Sequence, residues 1–169
     1  GSIAGLPRAY RDPFTEGVQE EFFAAKMPRR EVYDRTGIQF LSFNSLFQLF
    51  ALQKEGCSAL ETAQRILFIP DALAYMLTGE MVTEYTVFST SQCMNAFSRQ
   101  PDAALLQAVG ISPALFSPVV MPGERVGLLS RAIGQATGLG QIPVVAVAGH
   151  DTASAVAAVP ASDKHFAYL

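Results

Sequence analysis

Along the first two thirds of the chain apolar residues recur at helical spacing; in the last third they gather into short runs. A helical pattern over residues 16–25 is closed by Pro28, since a proline holds the preceding residue in extended backbone. Residues 29–36 read as a short helix stopped by Gly37, with Arg35 in its last turn. Phe43, Leu46, Phe47 and Phe50 share one face of a predicted helix over 43–55, and Gly56 follows as a stop. Ser58 and Glu61 have capping-box spacing for a helix reaching about residue 64. Pro70 opens a further helix that ends at Gly79. Residues 84–97 are rich in Ser and Thr and fit a closely packed helix or a polar loop equally well. A helix over 101–109 is closed by Gly110, and 112–116 reads as one helical turn.

The last third changes character. Residues 125–128 suit a strand, and 130–137 a helix ending at Gly138. The run IPVVAVA (142–148) is the strongest strand and is predicted to be buried. A helix of small residues over 152–159 follows, and 166–169 begins another strand. This alternation gives an α/β class with a βαβ-like or hairpin-crossover unit. A chain stopping inside an apolar run would leave an unpaired strand edge, so the 169 residues read as a fragment.

Composition narrows the function classes. Half of the residues are hydrophobic and 16% are charged, which suits a domain with a real core rather than a disordered tail. The net charge of −3 is made of interspersed signs without a basic stripe, so no nucleic-acid partner is expected. The longest apolar run is far short of the roughly 20 residues of a membrane span, and no membrane association is expected. Cys57 and Cys93 lack metal-ligand spacing and read as buried or half-buried thiols. No secretory pattern is visible, so the expected location is cytoplasmic.

The candidate chemistry lies where the strongest strand meets the small-residue helix. In open α/β sheets ligands bind at the carboxyl ends of strands, beside helix N-termini. Gly149-His150-Asp151 occupies such a junction. Gly149 permits close backbone approach, and an ionised Asp151 could accept a hydroxyl proton as that oxygen attacks phosphorus. Asp is also a preferred N-cap, so Asp151 could equally do no more than start the helix. His150 could be a hydrogen-bonded histidine of purely structural role. Ser154 falls inside the predicted helix, which excludes a nucleophile elbow. Arg11 and Asp12 suit a surface ion pair. Asn44 and Gln48, one turn apart, could face a sugar or merely cap a helix. No local feature assigns Glu84, Tyr85 or Thr86. The chain has no G-x-x-x-x-G-K-[ST] or G-x-G-x-x-G loop, and its two histidines and two cysteines are scattered.

The stretches AGLPRAYRD (4–12), YDRTGIQFLSFNSLFQL (33–49), IPDALAYMLTGEMVTEYT (69–86) and IPVVAVAGHDTASAV (142–156) resemble the FGGY carbohydrate kinases. Within that family they are most similar to the branch that phosphorylates L-rhamnulose. The resemblance implies a ribonuclease H-like (actin-like ATPase) fold in two domains, with the active site in the cleft between them. Residues 1–169 would then be the later part of the N-terminal sugar-binding domain, with a helical insertion. The first strands and the nucleotide domain would be missing. ATP and a divalent metal, normally Mg, would be the cofactors of the intact enzyme, without nucleotide or metal ligands in this fragment. The product would be L-rhamnulose 1-phosphate. Asp151 falls on the family's proton acceptor, and His150 and Thr152 on sugar contacts. By similarity to glycerol kinases, Tyr10 and Phe43 fall near positions that wall the sugar pocket, with Asn44 beside them. A Lys and a Trp common in the family after the Phe43 region are absent, which argues against xylulose or glycerol. The resemblance leaves another ketose such as L-fuculose open, as well as a non-catalytic sugar-binding or dimerisation module. The isolated fragment is expected to be inactive.

Overall fold

Left-handed glycines and short polar caps set several of the helix boundaries. The computed structural model describes residues 2–5, 7–163 and 165–167. In chain order the helices of the first part are α1 (Val18–Ala25), α2 (Arg29–Thr36), α3 (Ser45–Lys54) and α4 (Ser58–Thr62). Next come α5 (Ile69–Thr78), the two-residue strand β1 (Thr83–Glu84), α6 (Tyr85–Thr90) and α7 (Ala103–Ala108). The last part holds β2 (Val119–Val120), β3 (Arg125–Leu128), α8 (Arg131–Thr137), β4 (Pro143–Val145) and α9 (Asp151–Ala157). Gly37, Gly79 and Gly138 end α2, α5 and α8 at φ of 65°, 84° and 74°, a region where a side chain is strained.

The chain divides into two compact units, one of residues 1–67 with 88–117 and one of residues 68–87 with 118–169. The first unit is helical, and its core is aromatic. Phe22 of α1 meets Phe47 and Phe50 of α3 edge-to-face at 5.7 and 5.5 Å, and Phe23 meets Phe40 at 5.0 Å. Such geometry places the positive ring edge on a negative face. Leu46, Phe47, Leu105 and Leu106 are fully enclosed. The predicted face of α3 is therefore the buried one, except that Phe43 precedes the helix and is only half-buried. Asp102 caps α7, its Oδ1 accepting from the backbone N–H groups of Ala104 and Leu105.

The second unit holds the strands. β1 pairs with β2 in parallel, Thr83 opposite Val119 and Glu84 opposite Val120. β3 pairs with β4 antiparallel across the connecting α8, with an irregularity between Arg125 and Gly127. The β3–α8–β4 unit is thus a hairpin crossover rather than a parallel βαβ. Ser130 Oγ caps α8 by accepting from Ile133 N at 3.5 Å.

Four expectations are corrected. Cys57, not Ser58, is the N-cap position of α4 and makes no side-chain cap bond; the helix stops at Thr62 because Ala63 is extended. Asp12 is not an ion-pair partner of Arg11: it caps the 3-10 turn Pro13–Thr15 through Phe14 N. The 142–148 run is a strand only over Pro143–Val145, and Val147 is 69% exposed. An apolar run reports that burial is favourable but not how many of its faces find partners, and among the described residues β3 is its one ladder neighbour. Phe166 and Ala167 are not in a strand, and residues 168 and 169 of that predicted strand lie outside the described residues.

Gly134 marks the tightest backbone approach. A Cβ there would lie 2.3 Å from the Gly140 carbonyl oxygen, and the Gly140 N–H donates to Gly134 O at 3.1 Å. Neither group can yield without breaking the α8 exit. Gly134→Ala is therefore expected to cost about 2–3 kcal/mol in urea unfolding; a change below about 0.5 kcal/mol would contradict the approach.

Candidate functional site

A carboxylate that the sequence leaves unassigned organises the junction before α9. Glu84 ends β1, is buried, and its side chain turns back over the start of α6. Oε1 accepts from Thr86 N at 2.8 Å; Oε2 accepts from Thr86 Oγ1 at 2.6 Å and from Val87 N at 3.1 Å. Glu84 thereby satisfies orphan N–H groups of the first turn of α6. Oε2 also accepts from Gly149 N at 3.2 Å, and the Thr86 hydroxyl oxygen accepts from His150 N at 3.1 Å. A Cβ on Gly149 would stand 3.2 Å from Glu84 Oε2 and from Val87 Cγ2, so glycine is what lets the turn reach the carboxylate.

His150, not Asp151, is the N-cap of α9. Its Nδ1 accepts from Thr152 N at 3.2 Å. The same nitrogen lies 3.3 Å from Asp151 Oδ1. Asp151 is the first helical residue, with its side chain 94% exposed. Its Oδ1 accepts from Thr152 N at 2.6 Å and from Thr152 Oγ1 at 3.3 Å. The N-cap position itself is taken by His150, and the Asp151 carboxylate faces solvent while its Oδ1 holds Thr152 N. Ser154 Oγ donates to Ala148 O at 2.5 Å and closes the turn from the helix side.

Behind the turn lies a second buried acid, Asp71 of α5, only 2% exposed. Its Oδ1 accepts from Glu84 N at 3.1 Å, and its Oδ2 has no partner among the described residues. Burial, opposed by the bond from Glu84 N and reinforced by the nearby Glu84 charge, pushes its pKa up to about 6.

Tyr10, Phe43 and Asn44 belong to the first unit. The rings of Tyr10 and Phe43 meet edge-to-face at 5.2 Å, and Tyr10 stays exposed with the Arg11 guanidinium 5.2 Å from its ring centre. Asn44 is buried, its Nδ2 donating to Gln39 O and to Gln92 Oε1, both at 3.0 Å. Gln92 is fully enclosed at φ 58°, and its Nε2 donates to Ile38 O at 3.3 Å. The amide pair pins the 38–44 loop that carries Phe43. Gln48 Nε2 donates to Phe43 O at 2.5 Å and steadies the same residue. The structure thus groups Tyr10 with Phe43, and His150 with Asp151 and Thr152. Two clefts of about 490 and 440 Å³, lined respectively by residues such as Arg35 and Phe97 and by residues such as Glu80 and Arg125, include neither these five residues nor Asn44.

Sequence reasoning missed Glu84, Thr86, Asp71 and Gln92. Glu84 and Thr86 stood in a segment whose local pattern left their roles open. The partnership with Gly149 and His150, more than sixty residues away in sequence, had no local trace.

Comparison with known proteins gives this geometry a family. Residues 9–158 match the FGGY family of carbohydrate kinases, N-terminal domain. The chain belongs to that family. It is 56% identical over 169 residues to a rhamnulokinase of Bacteroides thetaiotaomicron, covering all of this chain and 35% of that relative. To a rhamnulokinase of Pectobacterium atrosepticum it is 43% identical over 169 residues, covering 33% of the relative. Among solved structures, a carbohydrate kinase from Novosphingobium aromaticivorans superimposes with a TM-score of 0.72 and 27% identity, over 90% of this chain and 32% of that one. A ligand-bound xylulose kinase from Lactobacillus acidophilus gives a TM-score of 0.70 at 19% identity, over 83% of this chain and 29% of that one, which speaks for the fold alone. The fold is that of the actin-like, ribonuclease H-like sugar kinases. The chain spans about a third of the length of the curated relatives it matches.

The raised Asp71 pKa has a sign that can be checked. An acid that binds its proton more tightly when folded contributes stability at low pH and loses it as pH climbs from its unfolded value, 3.8, to about 6. The loss amounts to about 2–3 kcal/mol. Asp71→Asn keeps an acceptor for Glu84 N but cannot ionise. Relative to the parent, its urea unfolding free energy is expected to rise between pH 4 and pH 7 and then level off; a difference that stays flat over that window would refute the shifted acid.

Proposed function

We propose that the chain is part of a cytoplasmic ATP-dependent kinase that converts L-rhamnulose to L-rhamnulose 1-phosphate, with Asp151 as the proton acceptor. The observation that carries this reading is the 56% identity to a rhamnulokinase along the whole chain. In the reaction the sugar hydroxyl oxygen forms a bond to the γ-phosphorus as the bond from phosphorus to the ADP oxygen breaks. The hydroxyl proton passes to a carboxylate oxygen of Asp151. Two features support that assignment: the carboxylate is exposed, and the backbone that carries it is fixed by bonds at Gly149, His150 and Thr152. Positioning of this kind is most of what phosphoryl transfer asks of protein groups.

The polar atoms of His150 and Thr152 stand one residue either side of Asp151 and suit contacts to neighbouring sugar hydroxyls. In the first unit, the Tyr10 and Phe43 rings form an edge-to-face apolar pair of the kind that suits a sugar's C–H face. Asn44 is buried with its side-chain N–H groups engaged, so its part is to hold Phe43 in place rather than to meet the sugar. ATP supplies the phosphoryl group and Mg would neutralise it. Among the described residues no group of three or more His, Cys, Asp and Glu side chains gathers to hold a metal. Mg is commonly held by one or two carboxylates together with nucleotide phosphates, and we assign the nucleotide and its metal to the full-length enzyme.

Two measurements test the reading. In the full-length enzyme, Asp151→Asn is expected to lower kcat about 10²- to 10⁴-fold with normal melting; a folded variant keeping most of its rate would remove Asp151 from the reaction. A ketose panel is expected to favour L-rhamnulose over L-fuculose, with no ATP turnover by the 169-residue chain alone. Preference for L-fuculose would reassign the substrate, and turnover by the chain alone would reassign the ATP site.

A further inference from the structure

We propose that Glu84 and Thr86 are positioning residues for the phosphoryl-transfer step, acting through the backbone that carries Asp151; this rests on the reading of Asp151 as proton acceptor. The two N–H groups immediately before Asp151 are held by these two side chains, Gly149 N by Glu84 Oε2 at 3.2 Å and His150 N by Thr86 Oγ1 at 3.1 Å. Glu84 is 4% exposed, so its carboxylate has little water to turn to, and protein donors fill both its oxygens. Thr86 adds direction. Its hydroxyl hydrogen is committed to Glu84 Oε2 at 2.6 Å, which leaves its oxygen lone pairs for His150 N. The Gly149 turn is also pressed against Glu84, Val87 and Pro70, since a Cβ there would meet Glu84 Oε2 and Val87 Cγ2 at 3.2 Å and Pro70 Cβ at 3.4 Å.

The remaining turn groups are bound on the helix side, Ala148 O by Ser154 and Thr152 N by His150. Backbone position at residue 151 is thus set by Glu84 and Thr86 on one side and α9 on the other. The Asp151 carboxylate itself touches only Thr152 and the His150 ring, so its aim follows its backbone. A general base displaced by about 1 Å loses on the order of 10²-fold in rate. Glu84→Gln would put an NH₂ among N–H donors. Thr86→Val removes the acceptor for His150 N, whereas Thr86→Ser keeps it.

The deciding experiment is steady-state kinetics on the full-length enzyme, each variant corrected for its folded fraction. Thr86→Val and Glu84→Gln are expected to lower kcat about 10- to 100-fold, with KM for ATP within about twofold. Thr86→Ser is expected to stay within about threefold of the parent, and Glu84→Gln added to Asp151→Asn to cost nothing further. If Glu84→Gln does not fold, the Thr86→Val and Thr86→Ser pair decides. Thr86→Val at parental kcat, or a Glu84→Gln loss that multiplies fully onto Asp151→Asn, overturns the positioning role while leaving Asp151 in place. Asp151→Asn at parental kcat overturns the general-base reading and this proposal with it.

Discussion

One buried carboxylate, Glu84, ties a helix start to the turn of a distant strand end. Taking a carboxylate out of water costs several kcal/mol unless hydrogen bonds replace its hydration. At Glu84 three N–H groups and one hydroxyl do so. None of these donors could leave without exposing the others to the same cost, so the Gly149–His150 turn has one low-energy position. Asp71 extends the arrangement by holding Glu84 from behind through its backbone N–H. Two acids so close, with Asp71 only 2% exposed, sacrifice stability at neutral pH for a fixed geometry.

The first unit fixes its exposed aromatic residues by a different means. Its core is a set of edge-to-face rings, which define orientation as well as burying area. The 38–44 loop is then held by Gln92, whose positive φ costs of order 1 kcal/mol or more. Two amide hydrogen bonds within a buried cluster offset that strain. Phe43 consequently stands at a defined place before α3, with Tyr10 edge-on against it.

Helices were legible where their signals are local. The boundaries of α2 follow from Pro28 and Gly37, and the C-terminal ends of α5 and α8 from Gly79 and Gly138, because each depends on a residue's own backbone preference. The buried face of α3 was legible for the same reason, since four residues at helical spacing suffice to mark it. Residues 84–97 were not legible. Their structure is decided by Glu84 meeting Gly149 and by Gln92 meeting Asn44, contacts that periodicity does not encode. The strand over 142–148 was overextended because hydropathy scores an apolar residue without asking which neighbour covers it. Of the candidate site, Asp151 was singled out by its place before the small-residue helix and by the family resemblance. The capping role of His150 was not, because asparagine, aspartate and serine dominate expectations for that post.

The division of labour at this junction follows from what each group must do. A proton acceptor has to meet substrate, so it must stay exposed with an oxygen to spare, and at Asp151 only Oδ1 is held, by Thr152. Precision must then come from the backbone, and backbone is best fixed by partners that are themselves immobile. Glu84 and Thr86 meet that requirement, being at the root of α6 and bonded to each other. His150 meets a second one: it stands at the cap of α9 and shares the Thr152 N–H with Asp151 Oδ1. A capping aspartate at residue 150 would serve the helix as well, but it would set a like charge beside the proposed base and disfavour its ionised form. An imidazole caps the helix without that cost, which gives a physical reason for histidine to stand directly before the carboxylate.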